Sequence, residues 1–546
     1  MTMSQSGQPF LVLREDKRKN VQRNNLLAIA LLTDMMKTSL GPKGMYKMLV
    51  DKNGDIKVTS DGVAILKELE LEIEHPVTKI MVEMSKAIDN EVGDGTTSSV
   101  VLASALLEKA GELIDNGIHP TLITEGYIKA LEKSLEILSS IAIRIDPKDR
   151  SVLENIARTT METKITFSDA SILAPIIVES VLSIAEEIEG KYNVDVNDIK
   201  VEGKAGGSIN DTKLVSGLII PRAYTKEVMQ SEMPKRISQA KIAVINCPLK
   251  IKKPEYDAKV TINSPRQIKM LFDEKNKMIK AMIDKIVAAG INVIVTNKDI
   301  DDVTLYYLAK AKIMAIRRDL DADLNRLAKA TGAKIMANID ELRPEDLGYA
   351  ELVEERRVEN ENWIFFEGCK NRKALSIFIR GGTDKVVENV KRAVQDALYV
   401  VRDVIIRPFI LVGAGSIEEE VALRLKDWAS TLPGRTQLAA QKFAEAIEII
   451  PLTLAKNAGM DPIDTITELR ARHKRGEKTA GINAIFGKIE DVQKLNIYEP
   501  LMVKEQIFKA ATEAVSMILR IDNIIAASRE QKLESKKKEE IPTATD

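Results

Sequence analysis

The chain has 546 residues, 45% of them hydrophobic, and 80 basic against 81 acidic side chains give it a net charge of −1. That length exceeds a single core and predicts three or so domains of about 100–200 residues, while the balanced charge argues against nucleic acid as the main ligand. Cys247 and Cys369 cannot build a disulfide framework, no CxxC spacing exists, and the scattered His75, His119 and His473 read as structural rather than as a metal centre. No apolar run reaches the ~20 residues of a membrane span and the start lacks a signal-peptide core, which predicts a soluble, cytoplasmic protein.

In chain order, residues 1–20 are polar, carry the basic run Arg14–Lys19 and read as a flexible arm. A helix with Leu26, Ile29, Ala30 and Thr33 follows, stopped by the breaker cluster Ser39-Leu-Gly-Pro-Lys-Gly44. Lys47–Val50 and Asp55–Thr59 predict paired strands around the turn Asp51–Gly54. A second glycine turn is Ser60-Asp61-Gly62.

The third turn is the most informative. In Glu91-Val-Gly-Asp-Gly-Thr-Thr-Ser-Ser99, Gly93 and Gly95 bracket Asp94, and Thr96 to Ser99 supply hydroxyls and N-cap candidates. A helical stripe of Leu102, Leu106, Ala110 and Leu113 begins there. A glycine turn feeding a helix start aims backbone N–H groups at one point, which suits phosphate. The helix dipole alone is worth only about 0.3–2 kcal/mol, so a phosphate site needs more, and Asp94 could hold magnesium against it.

Helical pattern resumes over 121–143, and residues 151–200 read as mostly helical with a loop at Thr159–Lys164. After Lys200 β-rich runs (241–245, 291–295, 312–316, 334–336) alternate with helices expected over 266–289, 301–311 and 320–331, which implies an α/β domain. The Lys-rich, Pro-punctuated segment from Cys247 to Lys280 reads as a charged surface helix or as an arm presenting Met270 and its apolar neighbours. Beyond Thr383 a helix carries Val386, Val390, Val394, Ala397 and Val401 on one stripe, with Asp396 off it and so outside that core face. Phe409–Val412 predicts a buried strand ending in the turn Gly413-Ala-Gly415, and Glu418–Glu420 opens the next helix. A long helix over 436–459, interrupted at Pro451, a loop at Ile497–Pro500, a helix over 502–527 and a disordered tail complete the chain.

The glycine turns and their acids fall into two clusters, 41–98 and 396–499. If both serve one phosphate site, the two chain ends fold together and the α/β middle is an insertion. Six stretches carry a resemblance that says the same. Leu40-Gly-Pro-Lys-Gly-Met-Tyr-Lys-Met-Leu49, Val58-Thr-Ser-Asp-Gly-Val-Ala-Ile-Leu66, Gly93-Asp-Gly-Thr-Thr-Ser98, Arg380-Gly-Gly-Thr383, Gln395-Asp-Ala-Leu398 and Asn483 to Glu490 match chaperonin signatures in order. From about residue 10 to 528 the chain resembles a group II chaperonin subunit of the archaeal thermosome type, similar to subunits of the eukaryotic cytosolic chaperonin.

The resemblance implies a multi-domain α/β fold: a mostly helical equatorial ATP-binding domain (1–149 and 404–546), a small intermediate hinge domain (150–220 and 370–403), and an α/β apical domain (221–369) with a helical protrusion within 245–280 that serves as a lid. It also assigns roles. Gly41 and its loop would pack on the nucleotide; Asp94 would coordinate Mg2+; Gly95, Thr96, Thr97 and Ser98 would cradle phosphates; Asp61 and Asp396 would flank the attacking water. Lys164 would sense the γ-phosphate, Gly413 and Gly415 would pass under the nucleotide, and Glu499 would bond the ribose. Ile268, Met270, Leu271 and Phe272 are the candidates for holding clients.

Two positions depart from the family pattern. Its three-glycine turn reads Gly413-Ala414-Gly415, and Tyr46 stands where archaeal relatives often carry Asp. The implied activity is ATP-driven folding of non-native proteins enclosed in a double ring of like or paralogous subunits, with ATP and Mg2+ as cofactors and lid closure tied to hydrolysis. The alternative is a ring-scaffold paralogue with weak ATPase that tunes its partners. A small-molecule kinase fits poorly, because no GxxxxGK[ST] is present.

Overall fold

A computed structural model describes residues 15–50, 54–72, 75–221, 233–250, 265–318, 320–339, 342–371 and 374–523. The tail from Arg529 and the heart of the expected protrusion, 251–264, lie outside the described residues, as do the side chains of Ile268, Leu271 and Phe272.

Helix Thr96–Asp115 is the centre of a helical region built from both chain ends. Its Val100, Val101, Leu102, Ala103, Leu106 and Leu107 are all buried, so apolar side chains cover it all round, as in a helix enclosed by others. Around it pack helices Glu15–Lys37, Pro76–Glu91, Pro120–Ile141, Gly434–Ile447 and Leu501–Leu519. Each fully buried Leu or Val contributes roughly 1.5–3 kcal/mol, so packing adds to the good helix propensity of Leu102, Ala103, Leu106 and Leu107 and offsets the weaker propensity of Val100 and Val101. A small antiparallel sheet of Ile143–Arg144, Phe409–Val412 and Tyr498–Pro500 stitches three distant segments together. Against this region lies a layer of helices Arg150–Glu162, Phe167–Ile184 and Asp384–Ile406, whose buried side chains join the same core.

The middle of the chain forms a mixed sheet of nine strands among the described residues, in the order 314–317, 293–296, 236–245, 348–358, 361–369, 213–221, 375–381, 199–205, with 335–336 added beside 236–245. Its parallel part is crossed by helices Pro265–Ala288 and Asp302–Lys310. Ile279, Ile283 and Ile286 pack with Ile294 on one face, while Val293, Val295 and Leu327 pack on the other. Burial on both faces explains the unbroken Val/Ile runs of these strands. Strand Lys213–Pro221 pairs with 361–369 through 217–221 and with 375–381 through 213–216. The changeover falls at Gly217, where a Cβ would lie 1.7 Å from the Phe366 carbonyl oxygen.

Several expectations need correction. The first helix begins at Glu15 and so takes in most of the basic run assigned to the arm. Its buried face is Asn25, Ile29, Leu32, Thr33 and Met36, and Ala30 is exposed. Residues 159–162 continue a helix, and 186–193 form a hairpin rather than more helix. The break expected at Pro451 falls at Glu448, which leaves Pro451 in the first turn of helix Ile449–Ala458, where its missing N–H costs little. The segment 498–500 is a strand, since Leu411 pairs with Glu499. Val386 is 42% exposed and the helix buries Val387 instead. Helix Phe167–Ile184 is apolar enough to cross a membrane by length and composition, against the expectation of no such run, but its Leu173, Ile177 and Val181 are buried in the core. The histidines are structural: His75 and His119 cap helices that open on a proline, and His473 is buried between Glu420 and the Ala480 carbonyl, 2.9 Å from each.

Candidate functional site

The glycine turns and the helix starts behind them surround one cleft, about 1300 Å³ of empty space with its open mouth counted in. Its floor is Gly95, Thr96, Thr97 and Ser98, with Asp94 beside them. One wall is Leu40–Pro42, a second is Thr159–Thr160 and Glu162–Lys164, and a third is Ala414–Gly415 with Ile482–Ile485 and Glu499.

The floor owes its shape to Gly95, which holds φ +86° and is the N-cap of helix Thr96–Asp115 without any side-chain cap. The expected capping by Thr96 to Ser99 therefore fails: these residues lie inside the first turn, where Ser99 Oγ donates back to the Thr96 carbonyl at 2.7 Å. Asp94 Oδ1 accepts the Gly95 amide at 2.8 Å, but no side chain caps the amides of the first helical turn, which leaves them and the dipole to a ligand. The Asp61–Gly62 turn packs directly on the floor, since a Cβ at Gly62 would sit 2.7 Å from Thr97 Oγ1. Asp61 Oδ2 accepts the Ala64 amide at 3.0 Å, which fixes that carboxylate at the start of its helix.

The centre of charge is Lys164. Its ammonium is hydrogen-bonded to Asp396 Oδ2 and lies 3.6 Å from Asp94 Oδ1. Burial works against its charge, but Asp396, Asp94 and Asp61 outweigh that, and its pKa is raised. Burial likewise pushes the Asp396 carboxyl well above the usual range; Lys164 opposes this, and Asp61 and Asp94 add to it. An ion pair at this separation attracts by about 4 kcal/mol in a partly screened site, largely offset by several kcal/mol per ion of lost hydration. Such a cluster is not kept for stability. Asp396 lies off the apolar stripe as expected, yet it is only 8% exposed, so it is an acid buried behind the cleft and not a solvated one.

A second buried network stands behind Glu499. Lys504 Nζ binds Glu499 Oε2 at 2.7 Å and also hydrogen-bonds Glu418. Burial raises the Glu499 pKa, with Lys504 opposing. Gly413 does not line the cleft: it donates its amide to the Ile497 carbonyl at 3.0 Å, and a Cβ there would lie 2.7 Å from Glu499 Oε1. Gly413 thus makes room for Glu499, while Ala414 and Gly415 face the cleft. Ala414 holds φ +59°, the left-handed region that favours glycine.

The structure therefore gathers Gly41, Asp94, Gly95, Thr96, Thr97, Ser98, Lys164, Gly415 and Glu499 at the cleft, with Asp61, Asp396 and Gly413 directly behind its surface. It does not bring Ile268, Met270, Leu271 and Phe272 there. They lie on helix Pro265–Ala288 of the sheet region, with Met270 70% exposed. Several residues escaped the sequence reading. Asp89 feels Asp61, Lys164 and Asp94, and its pKa is raised, mainly by burial; it sits one turn before the Gly93 turn and drew no notice as a lone helix acid. Thr159, Thr160 and Thr163 also line the cleft; they fell within the stretch read as a loop and were given no role there. Asn483, held by Glu490 at 2.8 Å, lay within a quoted signature but had no role.

Comparison with known proteins agrees over almost the whole chain. The model of the TCP-1/cpn60 chaperonin family matches residues 32–529. A thermosome subunit of Pyrococcus abyssi is 48% identical over 539 residues, covering 98% of this chain and 96% of the relative. Thermosome subunits alpha and beta of Archaeoglobus fulgidus are 47% and 48% identical over 525 residues, covering 95% of each chain. With the cleft assembled from the same signature stretches that the family model spans, this chain belongs to the TCP-1/cpn60 chaperonin family.

Proposed function

We propose that the protein is a subunit of a double-ring chaperonin that encloses non-native proteins and folds them, with lid closure driven by ATP binding and hydrolysis in this cleft. The observation that carries the reading is the meeting of Lys164, Asp94 and Asp396, three segments far apart in the chain, at one uncapped helix start.

In this reading the first turn of helix Thr96–Asp115, with Gly95, Thr96, Thr97 and Ser98, holds the phosphates, and Gly41 and Gly415 lie against the nucleotide. Mg2+ keeps several waters and takes one or two carboxylates plus phosphate oxygens, and the Asp94 carboxylate beside the floor hydroxyls of Thr96, Thr97 and Ser98 offers that donor set. The ion's contribution would be to neutralise charge on the phosphates. Asp61 and Asp396 orient the attacking water and accept its proton; burial makes Asp396 a stronger base than an exposed aspartate. Lys164 exchanges its aspartate partners for the γ-phosphate, and Glu499 holds the ribose. Because Asp396 sits on helix Asp384–Ile406 and Lys164 beyond helix Arg150–Glu162, hydrolysis requires this layer to be closed on the floor.

The layer belongs to a hinge domain (150–220 and 370–403) between an equatorial domain (1–149 and 404–546) and an apical domain (221–369), whose helix Pro265–Ala288 offers Met270 and its neighbours to clients. Nucleotide favours the closed state only through contacts made better there, and those of Lys164 and Asp396 qualify. Purified protein should hydrolyse ATP in a Mg2+-dependent manner, and particle images down the ring axis should show closure with nucleotide. Absence of both would end the reading. The strained Ala414 favours one variant of it, a subunit with weak ATPase that tunes paralogues; full turnover by the homo-oligomer would rule that variant out.

A further inference from the structure

The loop that follows the first helix has two ends with different tasks. At one end Ser39, Leu40, Gly41 and Pro42 line the cleft. At the other, the Tyr46 hydroxyl donates to the backbone carbonyl of Lys164, 118 positions away. The loop between them is braced: the Gly44 amide bonds the Gly41 carbonyl at 2.9 Å, the Met45 amide bonds the Thr38 carbonyl at 2.7 Å, and Lys47 Nζ bonds Thr38 Oγ1. On the Lys164 side the side chain is held by Asp396 and Asp94, and the backbone by the end of a helix. Helix Arg150–Glu162 ends there, and the amides of Lys164 and Ile165 share one acceptor, the Met161 carbonyl, at 2.8 and 2.9 Å. The Tyr46 ring is 47% exposed, so its place is not dictated by burial of the ring.

We propose that Tyr46 is a positioning residue that ties the carbonyl of Lys164 to the cleft-lining loop and so sets how the lysine meets Asp94 and Asp396. A ligand that shifts Leu40–Pro42 moves the Lys164 loop with it, because a braced loop transmits displacement better than it absorbs it. This rests on the reading of the cleft as a nucleotide site, but the tether itself can be tested without nucleotide.

Tyr46→Phe keeps the ring and removes only the hydroxyl. In the nucleotide-free protein, hydrogen exchange of amides 163–166 should quicken by roughly 3–10-fold, the range for one hydrogen bond. Exchange at the wild-type rate overturns the tether. In ATP hydrolysis the same variant should lose kcat by a similar factor with KM held within twofold, since it loosens Lys164 without touching the floor. Quickened exchange with unchanged kcat overturns the positioning role. A wild-type protein that hydrolyses no ATP overturns that role too, together with the nucleotide reading, and leaves the tether to be judged by exchange alone.

Discussion

The helical region around the cleft and the sheet region in the middle treat charge differently. In the helical region Asp396, Asp403, Glu418, Glu419, Glu420, Glu448 and Lys504 are all buried; in the sheet region Lys200 and Asp323 are the buried ionic residues among those described. The sheet region is held by interdigitated Val, Ile and Leu side chains on both faces of its strands. Buried ion pairs add little net stability compared with apolar packing, so the sheet region represents the economical way to hold a fold. The helical region instead buries carboxylates against basic side chains, with Glu418 on Lys504, Glu420 on His473, Glu448 on Arg470 and Asp396 on Lys164. Both regions have apolar cores, and what sets the helical region apart is the number of ionic side chains buried with its core.

The largest effect should come from breaking the charged cluster itself. Asp396→Ala should lower turnover by about 10²–10⁴-fold while nucleotide binding stays within a few-fold. Turnover at the wild-type rate would remove Asp396 from its role. Next, Lys504→Met strands Glu418 and Glu499 in the interior and should cost about 3–5 kcal/mol in denaturant unfolding. The matching change in the sheet region, Lys200→Met, should cost less, about 1–3 kcal/mol, because Arg318 still pairs with Asp323 at 2.7 Å. Equal losses would erase the contrast between the two regions.

Glu419 offers a pH-dependent test. Burial, then Glu448, push its carboxyl up to about 7 against the opposing Arg470, His473 and Lys426, and both its oxygens are buried without a hydrogen-bond partner. A raised carboxyl favours the folded state below its unfolded value of about 4.5, and that support is lost as pH rises through about 7. Glu419→Gln should therefore match the wild type near pH 4.5 and exceed it by about 1–3 kcal/mol at pH 8. Parallel stability curves across that window would show that the carboxyl titrates normally. The smallest effect is expected at the turn: Ala414→Gly should relieve the left-handed backbone and stabilise by about 1 kcal/mol, with thermal unfolding as the measure. No gain would mean that neighbouring contacts of Ala414 outweigh the strain.

The sequence was legible where local chemistry speaks. Glycine turns, the helix start at Thr96, the Val/Ile strands and the alternation of the middle all follow from periodicity and breakers. It was illegible where partners lie far apart. Glu418–Glu420 read as the acids that commonly open a helix, because Lys504, 86 positions from Glu418, cannot be foreseen from the helix alone. Asp396 showed only that it lay off an apolar stripe; its burial comes from Lys164, 232 positions away. The resemblance supplied that meeting, whereas spacing did not. Glu499 was read as a loop acid because a three-residue strand leaves no period to detect.

The enclosed helix Thr96–Asp115 carries a consequence for the making of this protein. It is translated early, yet helix Leu501–Leu519, which covers one side of it, is the last of the described helices; Gln506 bonds Glu91 across 415 positions. At ribosomal speed that interval is on the order of 20–80 s. Throughout it the nascent chain shows water an apolar surface that nothing of its own can yet shield. A newborn subunit is in that interval the kind of substrate that its finished assembly is proposed to receive.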